Sequence, residues 1–282
     1  MSPRTSWCWQ VSPYAVTSAR STRWSEAPPC TPDGGLSTMS TTSPPTATVH
    51  VLRVFTNAQG RYGNPLGVVL DGASVPADGR QALAARLGYS ETVYVDGFAD
   101  GGGSRKVQIF TPTSEIPMAG HPLVGTAWLL AQQDGTPSEF ALSPVRLDSP
   151  VPCAVSGARA RIDVTPSTAP DWELEQLADP GAVESAAVPG RGEHWQRTLI
   201  WAWDDAHDEP TVRARTFAWA WGVEEDEACG SGVVRLAALL GHGVRARTGR
   251  GSVVEATMRP DGLVRVGGRV VLDGRREEPV GA

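Results

Sequence analysis

Two glycine turns, each followed by an apolar segment, carry residue types that can transfer a proton. The first turn opens "AGHPLVGTAWLL" (119–130) and presents His121. The second opens "CGSGVVRLAALL" (229–240) and presents Cys229 and Ser231. At a helix N-terminus, backbone N–H groups lack partners and the helix dipole is positive. Two such termini that face each other would bind a carboxylate without Lys or Arg.

Cys229 has two interpretations. A helix N-terminus lowers the pKa of a thiol from about 8.5 towards neutrality, which would suit an acid/base. Alternatively, Cys229 is a small buried residue that fills the turn, because buried thiols are common. We favour a functional or substrate-contacting position.

Glu91 begins the alternating segment "ETVYV" (91–95), after a helical segment that ends at Gly88. As a proton-transferring group it would need a pKa raised by an apolar pocket. The alternative is a solvated carboxylate at an element boundary, which is the usual position of a Glu.

His121 and Asp226 lie in or beside the two turns. His121 could relay protons or bind substrate, or its ring could satisfy backbone groups near the helix N-terminus. Asp226 is part of the acidic run "EEDE" (224–227), and such runs usually face solvent. Because Asp226 lies next to the second turn, we expect it to point inward.

The surrounding sequence predicts an α+β fold with much antiparallel sheet. Residues alternate between apolar and polar along several short segments, as in strands, and three segments have helical spacing. The predicted strands are 49–55, 64–70, 91–95, 106–110, 159–164, 196–203, 212–221, 252–258, 263–268 and 269–273, and the predicted helices are 78–88, 121–133 and 232–241.

The two turn segments fit one template, and each follows a strand that contains a Phe, Phe110 or Phe217. This correspondence predicts two related halves. We place the first half at residues 49–150 and the second at 151–282. Residues 1–48 are rich in Ser, Thr and Pro towards their end, which indicates a disordered tail or a start assigned upstream of the true one at Met39.

Composition excludes several classes of function. The formal net charge is -6, so the sequence lacks the basic footprint of a nucleic-acid-binding protein. No segment has the roughly 18 consecutive apolar residues of a membrane helix. The tryptophans near residues 195–221 alternate as in strands and indicate core positions. The cysteines have no paired spacing, so neither a metal site nor a disulfide framework is predicted and a cytoplasmic protein is expected; they are Cys8, Cys30, Cys153 and Cys229.

Four blocks of the sequence occur together and in order. They are "GNPLGVV" (63–69), "LGYSETVYV" (87–95), "FTPTSEIPMAGHPLVG" (110–125) and the Gly-Ser turn at 230–231. In this combination the chain resembles the PhzF-like (phenazine biosynthesis-like) isomerase family. The resemblance implies a diaminopimelate epimerase-type fold: two pseudo-symmetric domains with mixed and antiparallel sheets around a central helix, and an active site in the cleft between them. It also implies a homodimer that isomerises a substrate without a cofactor.

The same resemblance implies roles for individual residues. Glu91 corresponds to the acid/base of the family's Ser-Glu-Thr motif. His121 and Asp226 correspond to residues that bind substrate or relay protons. We expect a second set of residues to contact the substrate: Asn64, Gly120, Gly230, Ser231 and Gly232.

The chain departs from the family pattern at the second turn. Where typical members read roughly Asp-Pro-Ala-Thr-Gly-Ser-Ala, this chain has Glu227 in place of Pro and Cys229 in place of Thr. "ACGSG" (228–232) is similar to the segment around one of the two catalytic cysteines of a diaminopimelate epimerase. The position of the other cysteine corresponds to Ala119, so a two-cysteine mechanism is not expected, and the partner of a catalytic Cys229 would be Glu91.

We therefore expect a cofactor-free isomerase that moves a proton or a double bond in a small carboxylate, either amino-acid-like or an unsaturated ring carboxylate. A role in bacterial natural-product (antibiotic) biosynthesis is expected, with no metal. Two alternatives stay open. One is an amino-acid epimerase or racemase that uses Cys229 and Glu91, and the other is a non-catalytic protein that binds a small acid.

Overall fold

A computed structural model describes residues 45–99, 103–133, 136–207 and 209–280. The α-helices of these residues are α1 Ala77–Leu87, α2 Gly120–Leu130, α3 Pro180–Ser185 and α4 Gly230–Leu240. Short 3-10 helices span Gly72–Ser74, Pro166–Thr168 and Trp219–Trp221. The strands are β1 Thr46–Thr56, β2 Asn64–Val69, β3 Glu91–Ala99, β4 Ser104–Phe110, β5 Glu115–Ile116, β6 Glu139–Pro144, β7 Val151–Ser156, β8 Arg159–Val164, β9 Glu173–Gln176, β10 Thr198–Trp203, β11 Thr211–Ala218, β12 Val223–Asp226, β13 Val244–Thr248, β14 Ser252–Met258 and β15 Val264–Pro279.

The two halves of the chain repeat the same strand pairings. In the first half β2 and β3 are parallel, β3 and β4 antiparallel, β4 and β6 parallel, and β6, β7 and β8 antiparallel. In the second half β9 and β10 are parallel, β10 and β11 antiparallel, β11 and β13 parallel, and β13, β14 and β15 antiparallel. The helices occupy matching places: α1 and α3 follow the first strand of each series, and α2 and α4 precede the fourth. The internal correspondence predicted from the two glycine turns is thus a repeat of topology.

Strand β15 closes the first half of the sheet. It pairs with β8 through its beginning and with β1 through residues 269–279, and β1 also pairs with β2. The strands β1-β2-β3-β4-β6-β7-β8-β15 therefore form a closed circuit. Helix α2 contacts β1, β2, β3, β7, β8 and β15 of this circuit, which places it inside. Because β15 also pairs with β14, one continuous sheet links both halves. The division into two domains at residue 150 stays a prediction.

Helix α2 is mostly apolar around its whole circumference, as expected for a helix that strands surround. All of its residues except Trp128 are buried, and they pack on the largest hydrophobic cluster of the described residues. Burial of each of its Leu and Val side chains contributes about 1.5–3 kcal/mol. Helix α4 is buried on one face only: Val233, Val234 and Leu236 are buried, whereas Leu239 is 64% exposed. No helix of the described residues has the length and apolar character that a bilayer span requires.

Most sequence predictions agree with these elements. Helix α1 ends at Gly88, which adopts the left-handed conformation (φ 67°) expected of a glycine cap. The α+β class is confirmed, with a mixed sheet. The predicted tail is wrong at its end, because β1 already begins at Thr46, while residues 1–44 lie outside the described residues. The strands predicted at 263–268 and 269–273 are one strand, β15.

Helix α2 packs so closely on the sheet that residue 125 has no room for a side chain. A Cβ on Gly125 would lie 2.5 Å from Leu66 Cδ2 and 2.7 Å from Val54 Cγ2. We expect Gly125→Ala to lower the free energy of unfolding by about 1–3 kcal/mol, because overpacking a close-packed core displaces its neighbours. Urea unfolding of the purified variant measures this loss.

Gly97→Ala is the matched control, since a Cβ at this position in β3 meets nothing within 4 Å. Its free energy of unfolding should change by less than about 0.5 kcal/mol. An equal loss in both variants would contradict the close packing of α2.

Candidate active site

The N-termini of α2 and α4 meet at two glycines. A Cβ placed on Gly120 would lie 3.9 Å from the Cα of Gly230, and one placed on Gly230 would lie 3.9 Å from the Cα of Gly120. Both helices have eleven residues, and Ala119 and Cys229 occupy the same N-cap position. The two turns that the sequence predicted to converge are therefore in contact.

The Phe55 ring packs against the contact between Gly120 and Gly230. Phe55 is fully buried and adopts a left-handed conformation (φ 69°) that is unusual for a residue with a side chain. A Cβ on Gly230 would lie 3.1 Å from the Phe55 ring, and a Cβ on Gly268 would lie 2.7 Å from it. A conformation of this kind costs on the order of 1–3 kcal/mol, so the surrounding packing must hold it in place.

Glu91 and His121 form a buried ion pair beside the first turn. Glu91 is the first residue of β3, and His121 is the second residue of α2. Glu91 Oε2 and His121 Nε2 are 2.9 Å apart, and the two side chains are 15% and 8% exposed. Among the described residues, both atoms are buried and have no hydrogen-bond partner, so the contact between them is an attraction of charges.

Each member of the pair shifts the pKa of the other. Burial raises the pKa of Glu91. The charge and close contact of His121, with help from Ser90, lower it by more, so the net direction is downward. Burial lowers the pKa of His121, but Glu91 and Asp226 raise it, and the net direction is upward. The raised pKa that a proton-transferring Glu91 was expected to need is therefore not found, because the neighbouring His121 reverses the effect of burial.

Asn64 and Asp226 connect the start of β2 to the second turn. Asn64 Nδ2 donates to Asp226 Oδ1 at 2.7 Å and to the carbonyl of Ala228 at 3.2 Å. Asp226 Oδ1 also accepts from the backbone N–H of Ala228 at 3.1 Å. Asp226 thus points inward from its acidic run, as the sequence suggested.

Cys229 caps α4 as a neutral thiol. Its Sγ accepts from the backbone N–H of Gly232 at 3.4 Å and lies 3.5 Å from Ser231 Oγ. Burial and the neighbouring Asp226 raise the pKa of Cys229 well above its usual value, although Ser231 and Gly232 oppose this. The expected lowering by the helix N-terminus is wrong, because burial outweighs it. Gly232 is required sterically, since a Cβ there would lie 2.8 Å from Leu199.

Trp172 is a site residue that the sequence did not predict. Its Nε1 donates to Ser231 Oγ at 2.9 Å, and its ring packs with Cys229 and Ala218. Trp221, which is half exposed, lies against the same ring with centroids 4.8 Å apart. The contact to Ser231 spans 59 positions of the chain, so no local pattern could indicate it.

The structure thus gathers the predicted residues around the two turns. On one side lie Glu91, His121 and Gly120, and on the other lie Asn64, Asp226, Cys229, Gly230, Ser231 and Gly232. Among the described residues, no group of three His, Cys, Asp or Glu side chains is arranged to hold a metal ion. A surface cavity of about 550 Å³ near His242 and Arg245 shares no residue with this site.

The ion pair predicts a pH-dependent stability. Because the pKa of His121 is raised, its stabilising contribution is fully present below pH 6.5 and is lost as the pH rises through its folded value. We therefore expect Glu91→Gln to lower the free energy of unfolding more at pH 6 than at pH 9. Urea unfolding at both values measures the difference.

Glu225→Gln is the matched control, since Glu225 pairs with Arg215 at 2.7 Å and Arg stays charged at both pH values. Its cost should be the same at pH 6 and pH 9. A pH-independent cost of Glu91→Gln would contradict a charged Glu91–His121 pair.

The Trp172–Ser231 contact predicts an energetic coupling. A single buried hydrogen bond contributes about 0.5–1.5 kcal/mol. We expect a double-mutant cycle of Trp172→Phe and Ser231→Ala to give a coupling of about that size in urea unfolding. Trp221→Phe with Ser231→Ala should show no coupling, and a coupling of equal size there would contradict the contact.

Comparison with known proteins relates part of this chain to a protein family. Residues 52–149 match the family model described as phenazine biosynthesis-like protein. An uncharacterized isomerase of Mesorhizobium japonicum is 38% identical over 128 residues, which are 44% of this chain and 41% of that protein. The trans-2,3-dihydro-3-hydroxyanthranilate isomerase of Pseudomonas fluorescens is 42% identical over 65 residues, 23% of each chain. The matched segments thus span less than half of these relatives.

The fold extends the similarity beyond the matched segment. The crystal structure of a phenazine biosynthesis protein of the PhzF family from Bacillus anthracis superposes with a TM-score of 0.69 at 16% identity. It covers 82% of this chain and 98% of that one. These findings confirm the PhzF-like resemblance: residues 52–149 carry the family's sequence, and the chain has the fold of a PhzF-family protein.

Proposed function

We propose that this chain is a cofactor-independent isomerase that shifts a proton, or a double bond, in a small carboxylated molecule. The observation that carries the proposal is the buried Glu91–His121 pair, 2.9 Å apart, beside two helix N-termini that touch at Gly120 and Gly230. A PhzF-like sequence over residues 52–149 and relatives named as isomerases support it.

Glu91 is the base in this proposal. Its carboxylate lies 2.9 Å from the His121 ring and would take a proton from a substrate carbon. The electron pair left on carbon delocalises towards the substrate carboxylate. The imidazolium of His121 and the backbone N–H groups of the two turns stabilise that charge, because preformed donors need no reorganisation during the reaction. Glu91 then returns the proton to a second carbon and regains its charge.

The first turn is suited to an anion. Ala119, the N-cap of α2, has no side chain that could accept the first N–H groups of the helix. Those groups are therefore free for the substrate carboxylate. Ser231 would be a second donor: its oxygen already accepts from Trp172, which leaves its hydroxyl hydrogen for the substrate or for Cys229 Sγ, 3.5 Å away.

The wider arrangement is part of the same proposal. We place the reaction in a cleft between domains 49–150 and 151–282 of a cytoplasmic homodimer. The substrate would be amino-acid-like or an unsaturated ring carboxylate of bacterial natural-product (antibiotic) biosynthesis. The named reaction of the Pseudomonas fluorescens relative, on trans-2,3-dihydro-3-hydroxyanthranilate, supplies the first compound to test.

An epimerase or racemase that uses Cys229 and Glu91 is the second candidate. Cys229 is the N-cap of the helix whose end meets the end of the helix that carries His121, and this position favours it. In its resting state Cys229 is a protonated thiol, so it would donate a proton while Glu91 removes one. The equivalent position in the first half is Ala119, so this chain has no symmetric pair of thiols.

Solvent exchange distinguishes these candidates. The protein is incubated in D2O with trans-2,3-dihydro-3-hydroxyanthranilate and a panel of amino acids, and deuterium at each carbon is followed by NMR. We expect Glu91→Gln to reduce incorporation by about 10²–10⁴-fold, because it removes the general base. Glu225→Gln should retain the parent rate.

The outcome of Cys229→Ser then separates the two reactions. If it retains exchange while Glu91→Gln abolishes it, the epimerase is excluded. If both variants lose exchange at a stereocentre, the epimerase replaces the isomerase. Tight binding of an acid without exchange at any carbon would instead indicate the non-catalytic binding protein.

A further inference from the structure

Glu227 occupies the position at which typical PhzF-like members have a Pro. A Pro restricts the backbone of its own residue by fixing φ near -65°. Glu227 is held by its side chain instead. Its carboxylate accepts from the backbone N–H of Arg250 at 3.0 and 3.1 Å, from Arg250 Nε at 3.0 Å and from Ser252 Oγ at 2.7 Å. The Glu227 side chain is only 16% exposed.

Ser252 extends this contact to the start of β2. It is fully buried, and while its hydroxyl donates to Glu227, its oxygen accepts from the backbone N–H of Gly63 at 2.8 Å. Gly63 packs directly on the backbone of Val54, since a Cβ there would lie 2.6 Å from the carbonyl oxygen of that residue. The backbone of Glu227 is held as well, since Thr248 Oγ1 donates to its carbonyl at 2.9 Å.

The two ends of this chain of hydrogen bonds are covalently joined to the two members of the Asn64–Asp226 pair. Gly63 precedes Asn64, and Glu227 follows Asp226. Asn64 Nδ2 and Asp226 Oδ1 are 2.7 Å apart, so the contacts close a ring. Neither Asn64 nor Asp226 can shift without breaking one of these buried hydrogen bonds, each of which contributes about 0.5–1.5 kcal/mol.

We propose that Glu227 is a positioning residue: with Ser252 it fixes the Asn64–Asp226 pair, and thereby the negative charge that faces His121 and Cys229. Asp226 acts on both of those groups, since it raises the pKa of each. Glu91 is the other charged group that acts on His121. The effect of Glu227 on catalysis rests on the proposed function, but its effect on the position of Asp226 does not.

The test follows His121 by NMR, which needs no substrate. The protein is labelled at its histidines, and the His121 signal is assigned with His121→Gln. The pKa of His121 is then measured in the parent protein, in three variants of Glu227 and Ser252, and in one control variant. We expect Glu227→Ala and Ser252→Ala each to lower the pKa of His121, because Asp226 is released from its place. Glu227→Gln, which keeps the shape and one acceptor oxygen, should fall between Glu227→Ala and the parent protein.

Arg250→Ala is the matched control. The Arg250 side chain is 79% exposed, and its removal leaves the backbone N–H that binds Glu227. It should leave the pKa of His121 at the parent value.

Thermal unfolding of the same variants distinguishes positioning from stability alone. If Glu227→Ala and Ser252→Ala lose stability while the pKa of His121 stays at the parent value, the proposal is overturned. If Glu227→Ala does not fold, Ser252→Ala decides, because it leaves the contacts between Glu227 and Arg250 intact. A lowered pKa of His121 without any solvent exchange in the parent protein would support the positioning role and count against the proposed isomerase.

Discussion

The contact between Gly120 and Gly230 is the constraint on which the site depends. A side chain at Gly230 would press on the Phe55 ring, which lies 3.1 Å from a Cβ there, whereas a Cβ on Gly120 would meet the Gly230 backbone at an ordinary contact distance of 3.9 Å. The closed circuit of strands holds α2. Helix α4 packs on β14 and β15, and because β15 belongs to the circuit and pairs with β14, α4 is held next to α2. Helices from the two halves of the chain are thereby brought together at their N-termini, which are the positive ends of their dipoles.

Around this contact the two sides of the site are unlike. The first side has a charged pair, Glu91 and His121, whose mutual attraction reverses the effect of burial on both pKa values. The second side has a thiol whose pKa burial and Asp226 raise together. Burial therefore shifts a pKa towards the neutral form where a like charge is near, and is outweighed where a counter-charge is near.

The sequence predicted the elements that carry the site, because alternation and helical spacing are local properties. It identified Glu91, His121, Asp226 and Cys229 through their turns and motif positions. It did not predict Trp172, nor the role of Ser252, because each reaches the site across a long sequence separation. The pKa directions of Glu91 and Cys229 were wrong for the same reason: a local pattern indicates burial or a helix end, but not the charge opposite. The edge strand β9 (Glu173–Gln176) was missed because its side chains are mostly exposed polar groups without an apolar period.

The unequal N-cap residues, Ala119 in one half and Cys229 in the other, have a consequence for how a ligand is oriented. The halves repeat in topology, and such a frame on its own would accept an elongated molecule equally well in either direction. A methyl group at one helix end and a sulfhydryl group at the other remove that equivalence. A molecule with two similar ends would then meet a different helix end with each of them, and the Glu91–His121 pair on one side adds to that difference.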